Sequence, residues 1–227
     1  MKKLLITNLT LLALLTFSEQ IFTQVTGISS AGTRYEMVFV PGQQEDNSDL
    51  YKDIAHKMYL TEAYLPAKVN VFSEVVYLRY NMFKDEMEFM KDSKILFLKK
   101  QEKTTVTFNN SNEKYGVFNL DDKLKYFQIQ NTGDILLLTR KVVEFHEAKP
   151  AQSSYQKDKP ADLKREDDIH YIKFEDNSIV EIPSRQKNFL AIFKNNSNAV
   201  KKFIKENKIN IKDVEDLKKV VKYLNTL

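Results

Sequence analysis

Residues 75–90 read VVYLRYNMFKDEMEFM, and this stretch decides the fold class. Apolar and polar residues alternate along it with a period of two, which is typical of a strand that buries one face. A polar interruption at residues 84–85 predicts a turn into a second strand. The pattern predicts one buried face made of Val76, Leu78, Tyr80 and Met82.

Runs of the same kind occur before and after this stretch, rich in Val, Ile, Thr, Phe and Tyr. Turns at 91–94, 131–134 and 175–178 contain Asp, Asn or Gly, residues that accept the positive φ of tight hairpins. The result is an antiparallel β-meander, either barrel-like or a sandwich. We predict strands at 34–40, 64–72, 75–83, 86–90, 95–98, 104–108, 115–118, 124–130, 135–145, 170–174 and 179–182.

After residue 183 the apolar period changes from two to about 3.6, which predicts a helical segment. Ser184 is the expected cap of a first helix, Asn196 or Ser197 of a second, and Asp213 of a third. The apolar stripe of the last helix predicts that it packs on the sheet with its lysines outward. The fold class is therefore α+β, a β-meander followed by a short C-terminal helical segment.

The chain divides into four parts by composition. Residues 1–18 are a predicted signal peptide, and 19–57 are a lead-in with one possible strand. Residues 58–183 form the β domain, which contains a polar loop at 149–168. Residues 184–227 form the helices packed on that domain.

The first residues predict export. Lys2 and Lys3 precede an apolar run that ends at Phe17, as in a secretory signal peptide, and a plausible cleavage point follows Ser18. The alternative is a retained membrane anchor, but the run is shorter than the ~20 apolar residues that span a bilayer. We therefore expect a periplasmic or outer-membrane-associated protein. The chain has no cysteine, so neither disulfides nor a lipid-modified cysteine follow the run.

Composition argues against several functional classes. The formal charge of +4 becomes nearly neutral without the two leading lysines, which gives no electrostatic footprint for nucleic acid. Five glycines are few for a phosphate-cradling loop, and we predict no cofactor. Between residues 201 and 227, eight lysines are interleaved with four acids, so membrane contact, if any, is peripheral.

No catalytic or metal site is predicted. His56, His146 and His170 are far apart and lack the spacing of a zinc motif. Glu86 and Glu88 would share one strand face about 7 Å apart, a separation that overlaps that of glycosidase carboxylates. Two acids on one short strand more often form a solvated face, so a hydrolase is only an alternative.

The densest mixture of aromatic and charged residues lies at 78–89, and this is the predicted contact patch. A plainer interpretation is that Arg79 braces a turn with Asp85 or Glu86. The candidate binding residues are Arg79, Tyr80, Asn81, Asp85, Glu86 and Glu88. A separate hypothesis is a small-molecule or lipid carrier with a cavity lined by Phe72, Tyr80, Phe97, Phe118 and Phe127.

Three segments resemble a group of exported, uncharacterised proteins of Bacteroidota. They are LRYNMFKDEMEF at 78–89, KPAQSSYQKDKPADLKREDDIHY at 149–171 and KKFIKENKINIKDVEDLKKVVKYLNTL at 201–227. The resemblance spans roughly residues 59–227, implies a cell-envelope setting and supplies no catalytic residue. The sequence thus favours an exported, non-enzymatic binding module whose partner is an envelope protein or outer-membrane component. A carrier and a paired-carboxylate hydrolase are the alternatives.

Overall fold

The computed structural model describes residues 25–28, 34–37, 39–41, 51–91, 93–153 and 155–227, and the predicted signal segment lies outside them. The chain forms two compact units, residues 1–37 and 38–227. In the first, β1 (Val25–Ile28) pairs antiparallel with β2 (Arg34–Met37). The sequence predicted an unstructured lead-in up to residue 33. That prediction was wrong at β1, whose backbone groups find partners along all of β2.

The described residues of the second unit form thirteen strands and a short 3-10 helix at Ala55–Met58, besides the C-terminal helices. Eleven of the strands form one antiparallel sheet in the order β15-β14-β11-β10-β9-β8-β4-β5-β6-β7-β3, and β12 and β13 form a separate pair. The strands are β3 (Phe39–Pro41), β4 (Leu65–Val69), β5 (Val75–Asn81), β6 (Glu86–Lys91), β7 (Lys94–Leu98), β8 (Thr105–Phe108), β9 (Lys114–Leu120), β10 (Lys123–Ile129), β11 (Leu136–Arg140), β12 (Val143–His146), β13 (Asp162–Arg165), β14 (Ile169–Lys173) and β15 (Ile179–Glu181).

The large sheet curls into a half-barrel, which confirms the predicted meander. β10 and β7 are six strands apart in the sheet order, so a flat sheet would separate them by roughly 29 Å. Instead, the Tyr126 hydroxyl on β10 donates a hydrogen bond of 3.1 Å to the carbonyl oxygen of Leu98 on β7. The face that carries Tyr126 is therefore the concave face.

The concave face builds the main core. Its buried residues include Leu78, Tyr80 and Tyr126, and the β12–β13 pair contributes Val143 and Leu163 to the same cluster. The small pair thus packs on this core. All four residues predicted for the buried face of the decisive strand, Val76, Leu78, Tyr80 and Met82, belong to it.

Two boundaries differ from the predicted ones. Residues 135–145 form two strands rather than one, because the chain leaves the large sheet after Arg140 and pairs with β13 instead. The predicted polar loop at 149–168 contains that pairing strand. Apolar periodicity alone did not show β13, since Leu163 is its only buried residue.

The C-terminal helices cover β11 and β14 and form a second core. They are α1 (Gln186–Ala191), α2 (Ser197–Asn207) and α3 (Val214–Leu224). Leu137 packs among the helices, while the adjacent Leu138 packs with Phe127 on the other side of the sheet. The helices thus pack on β11 and β14, and β11 is buried on both faces. None of the described helices is long and apolar enough to cross a membrane.

The helix starts follow the prediction only in part. Asp213 caps α3, and its carboxylate accepts a hydrogen bond of 3.0 Å from the backbone NH of Asp216. Ser184 does not cap α1, because Arg185 occupies the cap position and makes no side-chain cap bond. Asn196 precedes α2, also without a side-chain cap bond.

Asn225, directly after α3, locks the helices to the β10–β11 turn. Its side chain accepts a bond of 2.9 Å from the Ile135 NH and donates one of 2.9 Å to the Ile135 carbonyl oxygen. Gly133 lies beneath this contact with a φ of 125°. A Cβ atom at Gly133 would lie 2.6 Å from the Asn225 Oδ1 atom, so the lock requires glycine there.

Candidate functional site

The structure divides the six predicted binding residues between the two faces of the sheet. Arg79 and Glu88 are directly opposed on β5 and β6, on the convex face. Tyr80 points into the concave core, and Asp85 binds it from the β5–β6 turn. A single contact patch containing all six residues is therefore not formed.

On the convex face, a buried ion pair joins Arg79 and Glu88. The guanidinium nitrogens Nε and Nη2 each lie 2.7 Å from the Glu88 carboxylate, which is almost fully buried. Asn81 Nδ2 donates a third bond of 2.8 Å to it. The sequence predicted Asp85 or Glu86 as the partner of Arg79. That was wrong, because the β5–β6 register places Glu88 opposite Arg79.

Two tyrosine rings enclose this arginine. The guanidinium carbon lies 3.9 Å from the centroid of the Tyr59 ring and 4.6 Å from that of Tyr64. Burial, with the Glu88 charge as a smaller cause, raises the pKa of Tyr59 to about 12. The cluster therefore holds its charges inside an aromatic cover, which is a rigid support rather than an open contact surface.

On the concave side, Asp85 joins strands that are distant in the sheet. It has a φ of 55°, and its carboxylate accepts bonds of 2.8 Å from the Tyr80 hydroxyl and 3.3 Å from the Tyr126 backbone NH. Lys100 Nζ lies 3.0 Å from Asp85 and 3.2 Å from Glu86. These contacts join the β5–β6 turn to β10 across the concave side of the half-barrel, near the Tyr126 hydrogen bond.

Glu86 and Glu88 do not form a carboxylate pair around a shared cleft. Glu88 is neutralised by Arg79, and Glu86 by Lys100. Burial raises the pKa of Glu86. The two acids therefore contact different cations, with Glu86 sharing Lys100 with Asp85, and this geometry gives the hydrolase hypothesis no support.

The five aromatic residues predicted to line a carrier cavity are not brought together. Tyr80 lies in the main core with Phe72 packed against it, whereas Phe118 and Phe127 meet in another cluster at a ring distance of 6.0 Å. Phe97 pairs with Glu88 across β6 and β7, on the convex side. The described residues thus give no common aromatic cavity for this set.

A group of exposed apolar residues lies beside the Arg79–Glu88 pair on the convex face. Six of the eight large apolar residues exposed among the described residues lie between positions 60 and 95: Leu60, Val71, Val75, Tyr77, Met90 and Ile95. Four of these lie on β5, β6 and β7, and we call these four, Val75, Tyr77, Met90 and Ile95, the Tyr77 patch.

The centre of the Tyr77 patch is a cross-strand row. Pro66 is opposite Tyr77 on β4 and β5, and Met90 is opposite Ile95 on β6 and β7. The β5–β6 register continues from the Leu78–Phe89 pair and places Met90 opposite Tyr77. Tyr77 and Met90 are 58% and 50% exposed. Sequence analysis missed this row, although Tyr77 alternates with the buried Val76 and Leu78.

The three histidines lie in different surroundings. His56 is exposed, and His170 Nδ1 lies 2.9 Å from the Thr139 hydroxyl, with burial lowering the pKa of His170. His146 lies beside two acids, Glu144 on the same strand and Glu166 just after β13, with one ligand atom of each within 4.8 Å of the others. The sequence did not predict this group because β12 and β13 were not predicted to pair.

Comparison of the chain with protein-family models, curated proteins and solved structures gives no match. The geometry of the described residues is therefore the basis for a functional assignment.

Proposed function

We propose that this protein is an exported, non-enzymatic binding module of the bacterial cell envelope that docks an envelope protein on the Tyr77 patch. The supporting observation is that four exposed apolar side chains, Val75, Tyr77, Met90 and Ile95, share the convex face of β5–β7. Contiguous apolar patches on soluble domains mark interaction sites, and partly exposed aromatic residues are frequent anchors in them.

The buried cluster of Arg79, Asn81 and Glu88 lies beside this surface and holds its strands in place. Residues 75, 77 and 79 alternate onto the same face of β5, so the enclosed ion pair borders the patch. A buried, ion-paired cluster keeps the neighbouring surface in one conformation before binding, which reduces the conformational entropy lost when a partner binds. Arg79, Asn81 and Glu88 then position the patch rather than contact the partner.

The cell-envelope setting rests on the basic and apolar start of the chain and on its resemblance to exported Bacteroidota proteins. A non-enzymatic role is favoured because the two candidate acids are ion-paired with different cations, Glu88 with Arg79 and Glu86 with Lys100. The partner should present apolar side chains with a polar rim, since Lys68 and Glu74 are exposed near the patch.

Site-specific photocrosslinking in native cells tests the proposal. A photoreactive phenylalanine analogue replaces Tyr77 in one strain and Tyr155 in another, because Tyr155 is a fully exposed tyrosine outside the patch. We expect a discrete crosslink to one envelope protein from position 77 and none from position 155. Equal crosslinking from both positions, or none from position 77, would refute the docking surface.

A competition experiment shows whether the crosslink is specific. Excess wild-type protein should abolish it, whereas excess of a Tyr77→Ser, Met90→Ser double variant should not. The free energy of unfolding of the variant should lie within about 0.5 kcal/mol of that of the wild type, because both side chains are half exposed or more. Competition by the double variant as strong as that of the wild type would exclude the patch as the contact.

A further inference from the structure

The pair β12–β13 and the residue after it bring three metal-ligating side chains together. Glu144 and His146 are two positions apart on β12, so their side chains leave the same face. Glu166 follows β13, and its backbone NH bonds the Val142 carbonyl oxygen at 3.0 Å, which holds it beside β12. One ligand atom from each residue lies within 4.8 Å of the other two.

The imidazole nitrogen in this group lacks an ordinary partner. The Nε2 atom of His146 is buried and makes no hydrogen bond to any described residue, although the ring as a whole is partly exposed. It lies 3.4 Å from the Oε1 atom of Glu166, which is near enough for an ion pair, but the two atoms make no hydrogen bond. A buried nitrogen that faces carboxylate oxygens needs a proton or a cation between them.

The separation fits a bound metal cation as well as a direct ion pair. Zinc binds imidazole nitrogen and carboxylate oxygen at about 2.0–2.1 Å, so two ligand atoms at a tetrahedral angle lie roughly 3.4 Å apart. The observed distance between His146 Nε2 and Glu166 Oε1 has that value. Glu144 is exposed, so rotation of its side chain can bring its carboxylate nearer without disturbing the core.

We propose that Glu144, His146 and Glu166 bind one divalent transition-metal ion, with Zn²⁺ as the fitting probe. One nitrogen and two oxygens suit zinc better than calcium or magnesium, which prefer oxygen ligands alone. Three protein ligands leave a coordination position for water. The ion would fasten β12 to the chain after β13, next to Val143 and Leu163 in the main core.

Calorimetric titration of the untagged, chelator-treated protein with ZnCl₂ tests the proposal. We expect one zinc ion per chain, and binding at least about tenfold weaker in His146→Gln and in Glu166→Gln. His56→Gln and Glu147→Gln are the matched controls, because both residues are exposed and lie outside the group. The controls should bind zinc like the wild type.

A magnetic-resonance measurement separates ligation from a protonated imidazole. Zinc should shift the ring resonances of His146 and leave those of His56 unchanged at one equivalent. Absence of calorimetric binding, or equal affinity in His146→Gln and the controls, would overturn the proposal. Resonances of His146 that respond to pH but not to zinc would assign the Glu166 contact to an ordinary ion pair and also refute it.

Discussion

The Tyr126 hydroxyl lies 3.1 Å from the carbonyl oxygen of Leu98, although five strands lie between β10 and β7 in the sheet order. This hydrogen bond spans the concave side of the half-barrel. Together with the Asp85 contacts to Tyr80 and Tyr126, it holds the two ends of the curl in place. Alternation along β5 places Tyr80 on the concave face and Arg79 on the convex face, although sequence analysis placed both in one contact patch.

Tyr126→Phe removes the hydroxyl and leaves the buried Leu98 carbonyl oxygen without this donor. We expect the free energy of unfolding to fall by about 1–2 kcal/mol in urea denaturation. Tyr77→Phe is the control, because the Tyr77 side chain is 58% exposed and its hydroxyl should contribute almost nothing. Equal stability of Tyr126→Phe and Tyr77→Phe would show that the hydrogen bond does not hold the curl.

Glu88→Gln leaves the Arg79 guanidinium between two tyrosine rings without its carboxylate. Because that charge is largely removed from water, we expect a loss of about 3 kcal/mol at pH 7 by urea denaturation. Glu62→Gln is a suitable control, since the Glu62 backbone carbonyl contacts Arg79 and its side chain is not part of the ion pair. A loss below about 1 kcal/mol would show that Arg79 relaxes into solvent.

Glu86→Gln should behave in the opposite way. Burial raises the pKa of Glu86 above 4.5 in the folded state, so ionisation of this carboxyl disfavours folding once the pH exceeds that folded value. We expect the variant to equal or slightly exceed the wild type in stability at pH 7. The advantage should vanish below pH 4, where the carboxyl is protonated in both states. Clear destabilisation at pH 7 would mean that the Lys100 contact outweighs burial.

Asp168→Asn tests the charge cluster beside β14. Burial acts to raise the pKa of Asp168, but hydrogen bonds from Lys141 and Arg165 outweigh burial and leave the pKa below 3.8. A lowered folded pKa stabilises the protein above pH 3.8, and this stabilisation is lost as the pH falls through the folded value. We expect a cost of about 1 kcal/mol at pH 7 that shrinks at acidic pH. A cost that persists unchanged at pH 3 would contradict this origin.

Asn225→Ala removes both hydrogen bonds to Ile135 and leaves the Ile135 NH without a partner, while the Ile135 carbonyl oxygen still accepts a bond of 2.9 Å from Asn131 Nδ2. We expect a loss of about 2 kcal/mol, measured by thermal and urea unfolding. Asn119→Ala is the matched control, because Asn119 is exposed on β9. Gly133→Ala should destabilise both backgrounds because of the φ of 125°, but less in the Asn225→Ala background, and the difference measures the clash between Gly133 and Asn225.

Local patterns predicted much of the fold. Alternation identified the buried face that holds Leu78 and Tyr80, and the 3.6-residue period identified the helices that pack on β11. These predictions succeeded because strand and helix periods depend only on neighbouring residues. The prediction that Ser184 caps α1 was wrong. Several polar residues precede α1, and the backbone conformation places Arg185, not Ser184, at the cap position.

The candidate sites depend on which residues of neighbouring strands are paired, and local sequence patterns do not contain this strand register. Arg79 finds Glu88 rather than Asp85 because the β5–β6 pairing places it there. His146 meets Glu166 only because β12 leaves the large sheet and pairs with β13, a weakly apolar strand inside a polar segment. The exposure of Tyr77 likewise follows from which face of β5 the curl turns outward.

The bonds between Asn225 and Ile135 join positions 90 residues apart in the chain. Bringing such distant residues together costs entropy that neighbouring strand pairs do not require. During synthesis the hairpins of the meander can therefore form first. The face of β11 that carries Leu137 then stays exposed to solvent until the helices pack on it. A chain whose translation stops before residue 225 should therefore expose this apolar surface, aggregate more readily and bind chaperones.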